Sequence, residues 1–115
     1  MKLKVVQNIN SARVFINVGK NCQIRLRLPV VEHLKIQKGD YILAGTDETE
    51  GDKFKYLYLV KADGKDYRGY KVSNGNGAHH ISGKGIVDFF KLEHPKAYPY
   101  ELFDDGETVA IKIKL

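Results

Sequence analysis

Gln23-Ile-Arg-Leu-Arg-Leu-Pro29-Val-Val-Glu-His-Leu-Lys-Ile-Gln-Lys-Gly39-Asp40-Tyr-Ile42 is the stretch on which the fold turns. Residues 23–28 alternate strictly, with Ile24, Leu26 and Leu28 on one side and Gln23, Arg25 and Arg27 on the other. That period predicts a half-buried strand with both arginines projecting together. Pro29 cannot donate to a sheet ladder, so it ends the strand and opens a helix. Val30, Val31, Leu34 and Ile36 fit one or two helical turns on an apolar core. Lys38-Gly39-Asp40 reads as a turn. There glycine supplies positive φ and the aspartate accepts local backbone hydrogen bonds, a structural role. A strand over residues 41–44 follows.

Outward from this stretch, residues 2–6 and 13–18 read as strands and residues 19–21 as a turn. Residues 45–52 are acidic and predict a loop. Residues 54–62 form a long strand in which Tyr56 and Tyr58 alternate with Leu57 and Leu59, so one set should be core and the other surface. Asp63-Gly64 signals a hairpin with a returning strand over residues 67–72. Residues 73–77 read as a flexible turn and residues 78–81 as a short strand. Ser82 is the expected N-cap of a helix running through Ile86, Val87, Phe89 and Phe90 to about Leu92. Residues 93–105, with Pro95 and Pro99, read as irregular. Residues 108–115 read as a strand with Val109, Ile111, Ile113 and Leu115 inward.

The expected fold is therefore mainly β with two short helices, in one domain spanning residues 1–115. The 43% apolar and 29% charged composition argues against disorder. No apolar run approaches the ~20 residues of a membrane-spanning helix, and no N-terminal apolar signal is present. The single cysteine excludes an intramolecular disulfide framework and a multi-cysteine zinc site. A cytoplasmic protein without a membrane partner is the expectation.

Charge is distributed unevenly. The chain holds 19 Lys and Arg against 14 Asp and Glu, a net charge of +5. Residues 1–38 hold eight basic residues and one acidic one, a balance of +7. Residues 39–62 carry −2, and residues 63–115 are neutral. An excess confined to one third of the chain is the electrostatic footprint of a polyanion-binding face, or else a solvated basic surface.

Two segments match in class: Pro29-Val-Val-Glu-His-Leu-Lys-Ile36 and Gly85-Ile-Val-Asp-Phe-Phe-Lys-Leu92. Each follows two strands joined by a Gly/Asn turn, and each precedes a Gly-acid pair and a strand, Gly39-Asp40 in one and Gly106-Glu107 in the other. This order predicts a duplication, with halves 13–62 and 67–115. Units so small bury little alone and would have to share one core.

Arg27-Leu-Pro29, a short apolar helix, and Leu34-Lys-Ile36-Gln-Lys-Gly39-Asp40-Tyr-Ile42 together resemble the swapped-hairpin DNA-binding domain of AbrB and MazE-type regulators and antitoxins. The same Gly-Asp turn recurs in double-psi β-barrels. The match is best over residues 13–46 and weaker in the second copy, which has Gly85 in place of the proline. The resemblance implies a barrel-like, pseudo-two-fold swapped-hairpin or double-psi form and a role in DNA binding. The interval from Pro29 to Gly39 is about two residues shorter than in the family, and family members dimerise instead of carrying two copies. Monomer and homodimer both remain open.

The candidate nucleic-acid contacts are Arg25 and Arg27 first, then Arg13, Lys20, Lys4 and Lys35. Arginines paired on one strand face suit phosphate contact, with limited guanine readout from a ribbon in the major groove. Lys4 and Arg13 extend the patch only if their strands neighbour this one. Residues 77–85 are Gly-rich and enter a helix with Lys84 nearby, enough for one phosphate but lacking the spacing and hydroxyl of a P-loop. His79 and His80, adjacent on a strand, face opposite ways and cannot share one metal; no metal or other cofactor is predicted. Cys22 has basic neighbours but no identifiable base partner. The seven tyrosines could stack on bases or simply pack. No carboxylate pair suits acid–base catalysis, so no enzyme is expected. The leading expectation is a small double-stranded DNA-binding regulator. The alternative is a protein-interaction module whose acidic loop and basic face engage a partner protein.

Overall fold

The computed structural model describes residues 3–6, 22–75, 78–94 and 96–115. The strand expected over residues 13–18, the turn at 19–21 and the candidates Arg13 and Lys20 lie outside the described residues. The order is β1 (Leu3–Val6), β2 (Gln23–Leu26), α1 (Leu28–Leu34), β3 (Tyr41–Asp47), a single 3-10 turn (Glu48–Glu50) and β4 (Tyr56–Lys61). Then come β5 (Tyr70–Lys71), β6 (Ser73–Gly75), β7 (Ala78–Ser82), α2 (Lys84–Phe90), β8 (Tyr100–Asp104) and β9 (Val109–Lys114). The expectation of a mainly β chain with two short helices holds.

The strands form two sheets. The larger has the order β1-β3-β4-β9-β8, with β5 beside the first residues of β3; the smaller has the order β2-β7-β6. The barrel expected from the family resemblance is not formed. Closure needs strand hydrogen bonds from one sheet to the other, and among the described residues no strand of the small sheet pairs with one of the large. The sheets are held by side-chain packing instead. Ile24, Leu26 and Ile81 of the small sheet meet Ile42, Leu57, Leu59 and Ile111 of the large one in a single cluster. Helix residues Val30, Leu34, Ile86 and Phe90 complete it. Both expected halves thus contribute to one core.

The two helices are alike in length and in how they end. Each has seven residues and stops at a lysine in the left-handed region, Lys35 (φ 55, ψ 46) and Lys91 (φ 53, ψ 48). Their cap N–H groups donate to the Val31 and Val87 carbonyls. The next residues, Ile36 and Leu92, donate to the same carbonyls and turn into the core. Pro29 sits in the first turn of α1, where a missing N–H costs nothing. After α1, Asp40 behaves as expected of a turn residue: the Gln37 N–H donates to its Oδ2 at 2.7 Å.

Several expected elements differ. Leu28 is not the third inward residue of a strand; it is the first residue of α1 and 67% exposed, because the helix begins one residue before Pro29. Residues 45–47 are not loop. Gly45–Asp47 continue β3, all three paired with β1 and Gly45 also with β4, and the 3-10 turn follows them. Tyr58 is not on a surface set but 3% exposed. β4 is the central strand, and the outer side of Tyr58 is covered by the Phe103 ring at 5.8 Å.

The Asp63-Gly64 turn does not return a strand onto β4. Both edges of β4 are already taken by β3 and β9, so β5 pairs with β3. Residues 73–75 form β6 and residues 100–104 form β8, where a turn and irregular chain were expected. Ser82 ends β7 and does not cap α2; Gly83 is the N-cap, with no side-chain bond. At the chain end Ile111 and Ile113 face inward, while Val109 and Leu115 are exposed. No helix among the described residues is long and apolar enough to cross a membrane.

Two stability predictions follow from burial. Ile81 is fully buried, so Ile81→Ala should lower unfolding free energy by roughly 2–5 kcal/mol, whereas Leu28→Ala should change it by less than about 0.5 kcal/mol; urea titration reads both. Tyr70 is 2% exposed and its hydroxyl has no partner among the described residues. Burial, with Asp88 adding to it, pushes the phenol from 10.0 to about 12. Because the folded pKa is the higher one, this stability is present below pH 10 and lost as pH rises towards 12. Tyr70→Phe should raise stability at neutral pH by about 1 kcal/mol and flatten that alkaline decline.

Candidate nucleic-acid interface

β2, β7 and β6 carry no acidic residue. Their register sets out a polar outer face. Gln23 lies opposite Ser82, and Arg25 lies opposite His80, which in turn lies opposite Ser73. The intervening pair, Ile24 and Ile81, points the other way into the core. Alternation in β2 therefore places Arg25 outward because Ile24 and Leu26 must be buried. Arg27 follows as the extended N-cap of α1 (φ −75, ψ 166) and is exposed. Neither guanidinium has a hydrogen bond or an acidic partner among the described residues, in contrast to Arg68, which holds Asp66 at 2.8 Å.

The remaining candidates do not gather there. Lys4 lies on β1, opposite Thr46 in the other sheet, so its strand does not neighbour β2. Lys35 ends α1, at the opposite end of the helix from Arg27, with its carbonyl accepting from Lys61 Nζ at 3.2 Å. A helix of this length puts the two about 10 Å apart. What the structure does bring to Arg25 and Arg27 was not evident from the chain. Tyr98 and Tyr100 border the same hollow, and His79 borders a second hollow on the other side of the arginines.

Other candidate chemistry takes a structural form. His79 and His80 face opposite ways, as strand geometry requires, and no cluster of His, Cys, Asp and Glu suited to a metal exists among the described residues. The glycines at the start of α2 sit against the core: a Cβ on Gly83, the N-cap, would lie 2.8 Å from Ile24 Cδ1, and Gly85, within the helix, is buried. The space a side chain would fill at position 83 is taken by Ile24 of β2 and Ile86 of α2.

Cys22 does have a base nearby that sequence distance concealed. Its Sγ lies 3.5 Å from Nε2 and 3.6 Å from Nδ1 of His94. Near-equal distances put the sulfur at the ring edge between the two nitrogens, so no single lone pair is aimed at the thiol. Burial pushes the thiol pKa up, Asp88 adds to this, and the opposing pull of Lys84 does not cancel it. The pair is not an activated nucleophile. Comparison with family models, curated proteins and solved structures gives no match to this chain.

Cys22 should therefore react with Ellman's reagent at neutral pH about tenfold or more slowly than free cysteine. Full denaturation should abolish the difference.

Proposed function

We propose that the chain is a non-catalytic nucleic-acid-binding protein that contacts double-stranded DNA through the outer face of the small sheet. The observation that carries this reading is a pair of exposed arginines, without a partner among the described residues, on and just after a sheet whose described strands hold no carboxylate. Guanidinium groups left without protein partners are available to phosphate oxygens, which accept bidentate bonds. Gln23, Ser82, His80 and Ser73 add further polar groups alongside. Binding proceeds by charge neutralisation with counterion release, and Arg25 is the residue placed to reach a guanine edge. A role as a regulator of AbrB or antitoxin type rests on the motif over residues 27–42.

A second reading, a protein-interaction module, is favoured by β8. It is the edge strand of the large sheet and carries exposed Tyr100 and Leu102, a template for an added strand from a partner.

The double variant Arg25→Ala/Arg27→Ala should weaken duplex binding by about tenfold or more and lower the slope of log affinity against log salt by ~2. Fluorescence anisotropy over a salt series measures both. Unchanged affinity would overturn the DNA reading, and a nuclease-resistant complex lost on Leu102→Lys would favour the second.

A further inference from the structure

Beside the arginines the two sheets part into a cleft of about 310 Å³. Its floor is Leu59, Ile111 and Ile113 of the large sheet, and its far wall is Ile24 and Leu26 of β2. These side chains are nearly buried, while the cleft itself stands half open to solvent. The mouth is bordered by Arg25 and Arg27 on one side and by Ala97, Tyr98 and Tyr100 on the other. β2 is the edge strand of the small sheet among the described residues, which is why outward arginines also border an inward hollow. No acidic side chain lines it.

We infer that this cleft is a binding site for a small amphipathic carboxylate with an apolar body of about ten carbons. The volume lies at the lower end of small-molecule sites, most of which are apolar inside with a few polar groups that fix orientation. An apolar interior selects a hydrocarbon chain or ring system. Two guanidinium groups at the entrance, without partners among the described residues, select an anionic head, and their planar fork matches a carboxylate. The Tyr98 hydroxyl is already committed to the Glu93 carbonyl at 2.9 Å. Its ring therefore serves as a fixed wall, and head recognition falls to the arginines. Burying the apolar body supplies the affinity, and the charge pair supplies direction and selectivity. The site shares Arg25 and Arg27 with the DNA-binding reading and extends beyond it through the apolar floor of Leu59, Ile111 and Ile113.

Isothermal titration of the full chain with decanoate, decan-1-ol and decan-1-amine tests this. Decanoate should bind saturably at one site, with the alcohol and the amine each about tenfold or more weaker. Ala97→Trp places a ring across the mouth at an exposed position, so the fold should be retained. It should cut decanoate affinity about tenfold or more while leaving duplex DNA affinity unchanged. Arg25→Ala/Arg27→Ala should reduce decanoate to the level of the alcohol. Absence of saturable decanoate binding, equal binding of acid and alcohol, or an Ala97→Trp variant with unaltered affinity would each overturn the inference. The DNA titration is read separately, so decanoate can fail while DNA binding stands, and the reverse.

Discussion

The antiparallel pairing of β2 with β7 is the constraint on which the rest depends. It sets Ile24 beside Ile81, both buried, and these two carry the small sheet onto the core of the large one. It also joins the strands that lead into α1 and α2, so both helices are placed by one ladder. The outer residues follow without freedom. With Ile24 and Leu26 buried, Arg25 must face out, and His80 and Ser73 must stand in its row. A one-residue slip would place Arg25 in the core and Ile24 in water, a change that burial opposes strongly. Core packing thereby determines the position of the basic face.

Where periodicity was local, the chain was readable. Alternation over residues 23–26, the proline that opens α1, the Gly39-Asp40 turn and the inward pair Ile111 and Ile113 all rest on interactions within a few residues. Leu28 marks the limit: the alternation runs on through it, but helix geometry takes over one residue earlier than the proline implies. Residues 45–47 lack apolar side chains and look like loop, yet pairing with β1, about 40 positions earlier, keeps them in a strand. Tyr58 is buried by Phe103, a residue 45 positions away, and no window around residue 58 contains that fact.

The same division applies to the site. Arg25 and Arg27 are visible as a pair because they stand two positions apart and a strand repeats every two. The tyrosines beside them, Tyr98 and Tyr100, come from a segment that reads as irregular. They arrive through the pairing of β8 with β9 and of β9 with β4. Cys22 and His94 meet in the same way, across most of the chain. Local charge pattern reveals cations readily, whereas the surface that surrounds them depends on sheet order.

Sheet order also bears on how the face comes into being. β3–β4 and β8–β9 join neighbouring strands, but β2 and β7 are separated by about 55 residues of chain, and β4 and β9 by a similar span, so these two ladders close large loops before any contact rewards the lost entropy. Such topology places folding in the slower range of small domains, roughly milliseconds to seconds. During synthesis β2 emerges long before β7, and the ladder between them cannot be completed until residue 82 has left the ribosome. The arginines exist early, but the rigid acid-free surface that displays them is a late product of folding.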